Sequence, residues 1–300
     1  MDLSDGGGAG NCRTGGMNSA PLIYSESTPT STSTAISHVF NGHFAPRDLE
    51  LETMPPLIIE VGVTRVEDAI AAERAGAHRL ELNSALILGG LTPSWGLIGE
   101  TIRAVKTPIM VMIRPRGGGF CYSQSEVDVM RRDVVAAVTA GAKGVVFGTI
   151  TPQGEIDVAA TERLVRAAVN AECIFHRAFD LCIDADQSLE KLISLGVRRV
   201  MTSGGAATAL LGAEKIAHLR SRAGDRIEIL PAGGIRNQNV APLIAATGCN
   251  QIHASFRKLA RDETNWPANS PPLGAPAADE CEHESVDADE VRLMGEWATG

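Results

Sequence analysis

The chain has 300 residues, a formal net charge of −9, and 44% hydrophobic against 21% charged residues. That is enough to bury a sizeable core as one large domain or two small ones. No apolar run reaches the roughly 18 residues a membrane span needs. The acidic opening MDLSDGGGAGNCRTGGMNSA lacks the apolar stretch of a secretory signal. Lysines and arginines are dispersed, with no basic stripe and little aromatic interleaving, which argues against nucleic acid as a partner. Six cysteines, scattered without CxxC spacing, point to free thiols in a reducing compartment, so the cytoplasm is expected.

Residues 1–56 are rich in Gly, Ser and Thr, as in STPTSTSTAISH, without a sustained period, and are expected to be a disordered tail. From Leu57 short β-rich runs alternate with helical segments: LIIEVG then RVEDAIAAERAGA, HRLELN then SWGLIGETIRAV, IMVMIRP then SEVDVMRRDVVAAVTAGA. GVVFGT, CIFHRAFD, RRVMTSG, RIEILPAGG and QIHAS continue the strands, with four more helical patterns and an eighth candidate, the tail segment DADEVRLMGEW capped by Asp287. Glycines suited to helix C-termini follow at 76, 141, 196, 224 and 248. Eight βα units over 57–300, with a polar acidic loop at about 257–285 and a last helix at about 287–298, predict a (β/α)8 TIM-type barrel. The competing open doubly wound sheet would show GxGxxG after its first strand, and EVGVTRVEDA has none.

Active sites of such barrels lie at the C-terminal strand ends, and side chains alternate in and out along each strand. Ile59, Val61, Leu80, Leu82, Val111, Ile113 and Phe175 make an apolar face for helices to cover. The opposite parity then carries Glu60, Gly62, Glu81, Asn83, Met112, Arg114, His176, His253 and Ser255 into the barrel, with Arg116, Arg177 and Asp180 just beyond strand ends. Glu60, Glu81, His176 and Asp180 are the candidate acid–base groups. Arg114 and Arg116 are expected either to neutralise Glu60 and Glu81 or to anchor an anionic ligand. A structural ion network is the competing reading. Arg177, Ser203, Gly204, Gly205, Gly233, Gly234, His253 and Ser255 complete the expected ligand-binding set. TSGGA and PAGGI place Gly-Gly after strands six and seven, where backbone N–H groups can cradle phosphate. Cys121 and Cys182 follow strands three and five and are candidate ligands for a soft ion such as Cu(I). Cys281 and His283 in ECEHES offer at most weak divalent binding within a solvated charge run.

In order along 57–256, the segments GGLTPSWGLI, VMIRPRGGGFCYS, GVVFGTITPQGEID, FHRAFD, TSGGA and PAGGI resemble the CutC family. The resemblance implies a cytoplasmic TIM-type barrel that binds or handles copper in copper homeostasis, assembles as a homo-oligomer and has no settled reaction. Family members often carry cysteines in EVCV and ELC at the first two strand ends, and those thiols are linked to Cu(I). This chain has Gly62 and Asn83 there. Two functions are therefore expected to compete. One is a copper-homeostasis protein holding Cu(I), through Cys121, Cys182, Met112 and His176. The other is a barrel enzyme acting on a small anionic or phosphorylated substrate by Glu/His acid–base chemistry.

Overall fold

A computed structural model describes residues 56–264 and 282–299. The expected tail lies, but for its last residue, outside these, as do Cys281 and the middle of the acidic loop. Eight short strands follow one another as β1 (Ile58–Val63), β2 (Arg79–Leu82), β3 (Ile109–Met112), β4 (Gly144–Phe147), β5 (Glu172–Phe175), β6 (Arg199–Thr202), β7 (Glu228–Pro231) and β8 (Gln251–Ala254). All pair in parallel, in the order β7-β6-β5-β4-β3-β2-β1-β8. A parallel bridge between Ala232 and His253 joins the two ends and closes the sheet into the expected barrel.

Helices α1 (Val66–Arg74), α2 (Trp95–Ala104), α3 (Gln124–Ala140), α4 (Val158–Ala168), α5 (Ala185–Ser194), α6 (Ala213–Ala223) and α7 (Val240–Thr247) follow β1 to β7 in turn. Side-chain caps set the starts of four of them: Ser94, Asp157 and Asp184 accept the third helical N–H of α2, α4 and α5. Ser123 and Glu126 form a reciprocal capping box on α3. Gly141 ends α3 at φ 106°, a left-handed conformation that glycine adopts without a Cβ clash. Among the described residues no helix is long and apolar enough to cross a membrane.

The expected polar loop after β8 is ordered at both ends. Arg257–Arg261 (β9) and Glu282–Val286 (β10) pair as an antiparallel hairpin, and α8 (Ala288–Thr299) follows, with the Asp287 carboxylate accepting the Asp289 N–H. Buried Asp68 of α1 accepts the Ser285 hydroxyl at 2.8 Å and the Val286 N–H at 3.2 Å, which pins the hairpin against the helix layer. Mostly exposed side chains on β9 explain why the sequence reads there as loop: pairing, not burial, makes the strand.

Apolar packing forms two shells. The outer one joins Ile59, Val61, Leu80, Leu82, Val111, Ile113 and Phe175 to helix residues such as Ala69, Met130, Leu164 and Ile216. The inner one splits into Met110, Met112, Val146 and Ile174 on one side and Met201, Leu230 and Ala232 on the other. Each fully buried large aliphatic or aromatic side chain contributes about 1.5–3 kcal/mol. The larger outer shell therefore carries most of the stability and leaves the interior free to hold charge.

Gly144 shows how tight the inner shell is. A Cβ there would lie 2.5 Å from Met110 Sδ and 2.8 Å from the Glu172 carbonyl oxygen, and the carbonyl cannot swing away as a side chain would. Gly144→Ala is expected to destabilise the barrel by about 1–3 kcal/mol, read as a lower denaturation midpoint with an unchanged m-value.

Candidate active site in the barrel mouth

Polar side chains form a connected line through the barrel interior. Glu60 of β1 is fully buried and ion-paired with Arg79 of β2, whose guanidinium also donates to Gln251 Oε1 at 3.0 Å. Gln251 reaches Glu228 at 3.4 Å, and Arg199 bridges Glu228 and Glu172 at 2.7 and 3.2 Å. On the mouth side, Glu60 Oε1 accepts from His253 Nδ1 at 2.8 Å, and His253 Nε2 faces Glu81 Oε2 at 3.8 Å. Glu60, His253 and Glu81 thus stand in series, from interior to mouth.

Each has a different proton affinity. Burial would raise the Glu60 carboxyl, but the His253 hydrogen bond and the Arg79 charge outweigh it and hold it at about 2. Burial would lower His253, yet the Glu81 charge and the Glu60 hydrogen bond and charge raise it. Glu81 is raised, first by burial and then by the Glu60 charge, against the pull of His253. Glu60 therefore stays ionised and orients His253, while Glu81 and His253 are poised to exchange a proton. Asn83 Nδ2 holds Glu81 Oε2 at 2.8 Å, and Glu81 Oε1 is buried with no partner among the described residues.

Glu81 lines a cavity of about 390 Å³ together with Met112, Phe120, His176, Arg177, Gly233, Gly234, His253 and Ser255. His176 follows β5 and is 4% exposed. Its Nδ1 accepts the Ala178 N–H at 3.1 Å, its ring lies 4.8 Å from that of Phe120, and its Nε2 is buried with no partner among the described residues. Burial, aided by the Arg114 charge, pushes its pKa down to about 3. It is therefore a neutral imidazole at ordinary pH, not the titrating partner acid expected from the sequence.

The two arginines of RPRGGG do not neutralise the glutamates. Arg114 Nη1 donates to the Leu88 and Gly90 carbonyls at 2.6 and 3.0 Å, and Nη2 to that of Gly118 at 2.7 Å, with the guanidinium 4.8 Å over Phe120. Arg116 pairs with Glu126 of α3, donates to the Gly119 and Cys121 carbonyls and stacks on Tyr122. Both tie down the loops after β2 and β3, and the glycines let their carbonyls reach the guanidiniums. Arg79 is the counter-charge of Glu60. It shares strand parity with Glu81 and Asn83, and that alternation was the signal that could have found it.

Asp180 is likewise a loop anchor. Its oxygens accept from Thr202 Oγ1 at 2.5 Å, Ser203 N and Oγ at 3.0 and 2.9 Å, Gly205 N at 3.1 Å and Arg177 Nε at 2.8 Å. It stands outside the main cavity, on a second one of about 190 Å³. The Gly204 N–H is taken by Thr202 Oγ1 at 2.9 Å. The Ser203–Gly205 loop thus spends its donors internally and is not the expected phosphate cradle. The Gly233 N–H faces the His253 carbonyl in the bridge that closes the barrel, whereas the Gly234 N–H has no backbone acceptor among the described residues; the two glycines stand at φ 107° and 67°. Arg177 Nη1 lies 3.3 Å from where a Gly233 Cβ would sit, and its Nη2 donates to Ser203 Oγ at 2.8 Å.

The soft-metal residues do not converge. Cys121 is exposed and absent from the cavity wall. Cys182 lies on the second cavity, where burial raises its thiol pKa. Position 62 does face the site, since a Cβ there would meet the His253 ring at 3.6 Å, but no thiol stands at 62 or 83. Among the described residues, Glu60, Glu81 and His253 are the one group of three whose ligand atoms lie within 4.8 Å of one another. Oxygen and imidazole donors are a poor match for Cu(I), and Arg79 already occupies Glu60. The residues present do not fit a Cu(I) centre.

The model of the CutC family matches residues 57–258. The chain belongs to the CutC family. A family protein CutC of Treponema denticola is 44% identical over 216 residues, covering 72% of this chain and 87% of that one. One of Chromobacterium violaceum is 38% identical over 239 residues, covering 80% and 97%. Among solved structures, a Streptococcus agalactiae protein named, provisionally, as copper homeostasis protein CutC superposes with a TM-score of 0.64 at 32% identity, over 66% of this chain and 97% of that one.

The Glu60 ion pairs set a pH window for stability. The Glu60 pKa falls from 4.5 to about 2 on folding, so its stabilisation is complete above pH 4.5 and is lost as pH drops toward 2. His253 is raised above 6.5, so its share is complete below pH 6.5 and is lost as pH rises through the higher folded value. Glu60→Gln, which strands buried Arg79, is expected to cost about 3–5 kcal/mol near neutral pH. It should also flatten the acid limb of the stability–pH curve measured by urea unfolding.

Proposed function

We propose that this CutC-family chain is an acid–base enzyme acting on a small anionic substrate held in the barrel mouth. The observation that carries the reading is Glu81: a buried carboxyl of raised pKa on the cavity wall, with one oxygen unpartnered among the described residues and a Glu60-oriented histidine beside it. A carboxyl raised above its ordinary range in this way is suited to take or give a proton. The Gly234 N–H, the Arg177 guanidinium and the Ser255 hydroxyl supply the anion end. Arg177 is fixed for this by Asp180 and Ser203.

The copper role in the name of the Streptococcus agalactiae protein comes to this chain without the ligands it would need. Gly62 and Asn83 offer no thiolate. Asn83 instead serves Glu81, and in place of a soft-ligand pair the mouth offers a proton-transfer pair.

Binding of inorganic phosphate checks the anion end. It is expected to raise the melting temperature in proportion to the logarithm of its concentration. Arg177→Met should weaken binding by about tenfold, the loss of one charge-assisted contact. Arg116→Met, which alters only a loop brace, should leave binding unchanged. Equal phosphate shifts in wild type and Arg177→Met would sink the reading.

A further inference from the structure

His176 is built as a hydrogen-bond donor of fixed tautomer. A backbone N–H can only donate, so the Ala178 amide at 3.1 Å requires a bare lone pair on Nδ1. The ring proton then resides on Nε2. The ring sits flush on bare glycine backbone: a Cβ on Gly148 would lie 2.4 Å from Cε1 and 2.5 Å from Nδ1. On its other side Phe120 packs at 4.8 Å, with the Arg114 guanidinium over that same ring. Arg114 is the charge that acts on the imidazole, and it opposes protonation. The carboxylates of the mouth, Glu60 and Glu81, pair instead with His253. Nε2–H is thus buried and unpartnered among the described residues, on a ring that lines the cavity.

A neutral N–H at this site does not serve as an acid near neutral pH, but it stabilises an oxygen on which negative charge develops. Glu81, the proton acceptor, stands on β2, with two strands between it and β5 in the barrel order, and lines the same cavity. We infer that the Nε2–H of His176 polarises a carbonyl oxygen of the substrate, so that the substrate is a small carbonyl compound bearing an oxoanion and the reaction is an enolisation. This rests on the acid–base reading above. Glu81 takes the proton from the carbon next to the carbonyl. The C–H electron pair becomes the C=C bond, and the carbonyl π pair moves onto the oxygen facing His176. That carbon also bears a hydroxyl, whose proton passes to the oxygen facing His176. Glu81 returns the abstracted proton to the former carbonyl carbon and the C=O re-forms at the hydroxyl carbon, which restores Glu81 and completes an isomerisation without oxidant, reductant or co-reactant. The oxoanion is held by the Gly234 amide and Arg177.

The test uses the full chain with 15N-labelled histidine and two probes. These are inorganic phosphate and 2-phosphoglycolate, whose planar carboxylate imitates the enediolate. His176 is expected to keep its Nε2–H neutral form from about pH 5 to about pH 8, a range that an ordinary imidazole crosses in titrating. Phosphoglycolate should bind at least about tenfold tighter than phosphate and shift the His176 Nε2–H resonance. His176→Phe, which keeps the ring packing, should abolish that advantage and leave phosphate affinity as it was. Titration of His176 within that range would overturn the inference. So would phosphoglycolate binding no tighter than phosphate, or a His176→Phe variant that retains the advantage. If phosphate itself fails to bind, the anion end of the preceding reading falls. The His176 titration needs no ligand and still decides the tautomer on which the inference stands.

Discussion

Arg79 and Glu60 meet inside the barrel, where most proteins of this architecture place branched aliphatic side chains. Burying two charges costs several kcal/mol per ion, and their attraction offsets that only when the remaining polar atoms also find partners. Here they do: Gln251 takes the second arm of Arg79, and His253 takes the second oxygen of Glu60. The pair therefore does more than neutralise itself. It fixes the orientation of His253, keeps a negative charge beneath the mouth, and through that charge helps to raise Glu81. Remove it and the proton-transfer pair above loses both its geometry and its electrostatics.

This arrangement needs a scaffold that does not depend on the barrel interior for its stability. The shell between sheet and helices supplies that, with Ile59, Val61, Leu80 and Leu82 on the outer faces of the same strands that carry Glu60, Arg79 and Glu81 inward. One register therefore sets both faces, and a one-residue slip in β1 or β2 would exchange core for charge. The loops above are braced in the same spirit. Arg114 and Arg116 collect carbonyls from the glycine-rich turns after β2 and β3, and Asp180 collects the amides after β6. Gly234 after β7 stands apart, because its N–H has no backbone acceptor among the described residues.

The barrel and the facing of its strands were legible in the sequence because both depend on short-range periodicity. Glu60, Glu81, His176 and His253 all point where alternation puts them. Partner choice was not legible, because it depends on which long side chain crosses which space. Arg114 and Arg116 have the charge to neutralise the glutamates, yet the loop path brings carbonyls and Glu126 to them first. Arg79 sits at the start of a strand, next to His78, and reads as an exposed flank unless parity is followed past Glu81. Asp180 looks like an acid near the mouth. Only the three-dimensional course of the β6 loop shows its oxygens filled. The β9–β10 hairpin was missed because its strands have little burial to impose a period.

The name of the Streptococcus agalactiae relative draws attention to copper, while the side chains of this chain set a lowered Glu60 beside a raised His253 and a raised Glu81. That contrast between the two glutamates is the central claim, and the carboxyl resonances of protein labelled with 13C at the glutamate side-chain carboxyls report it directly. Titrated from neutral pH downward, Glu81 should take up its proton above the ordinary range near 4.5, and Glu60 should remain ionised until about 2. If both carboxyls titrate together in the ordinary range, or if Glu60 is protonated first, the mouth holds a structural ion network and no poised base.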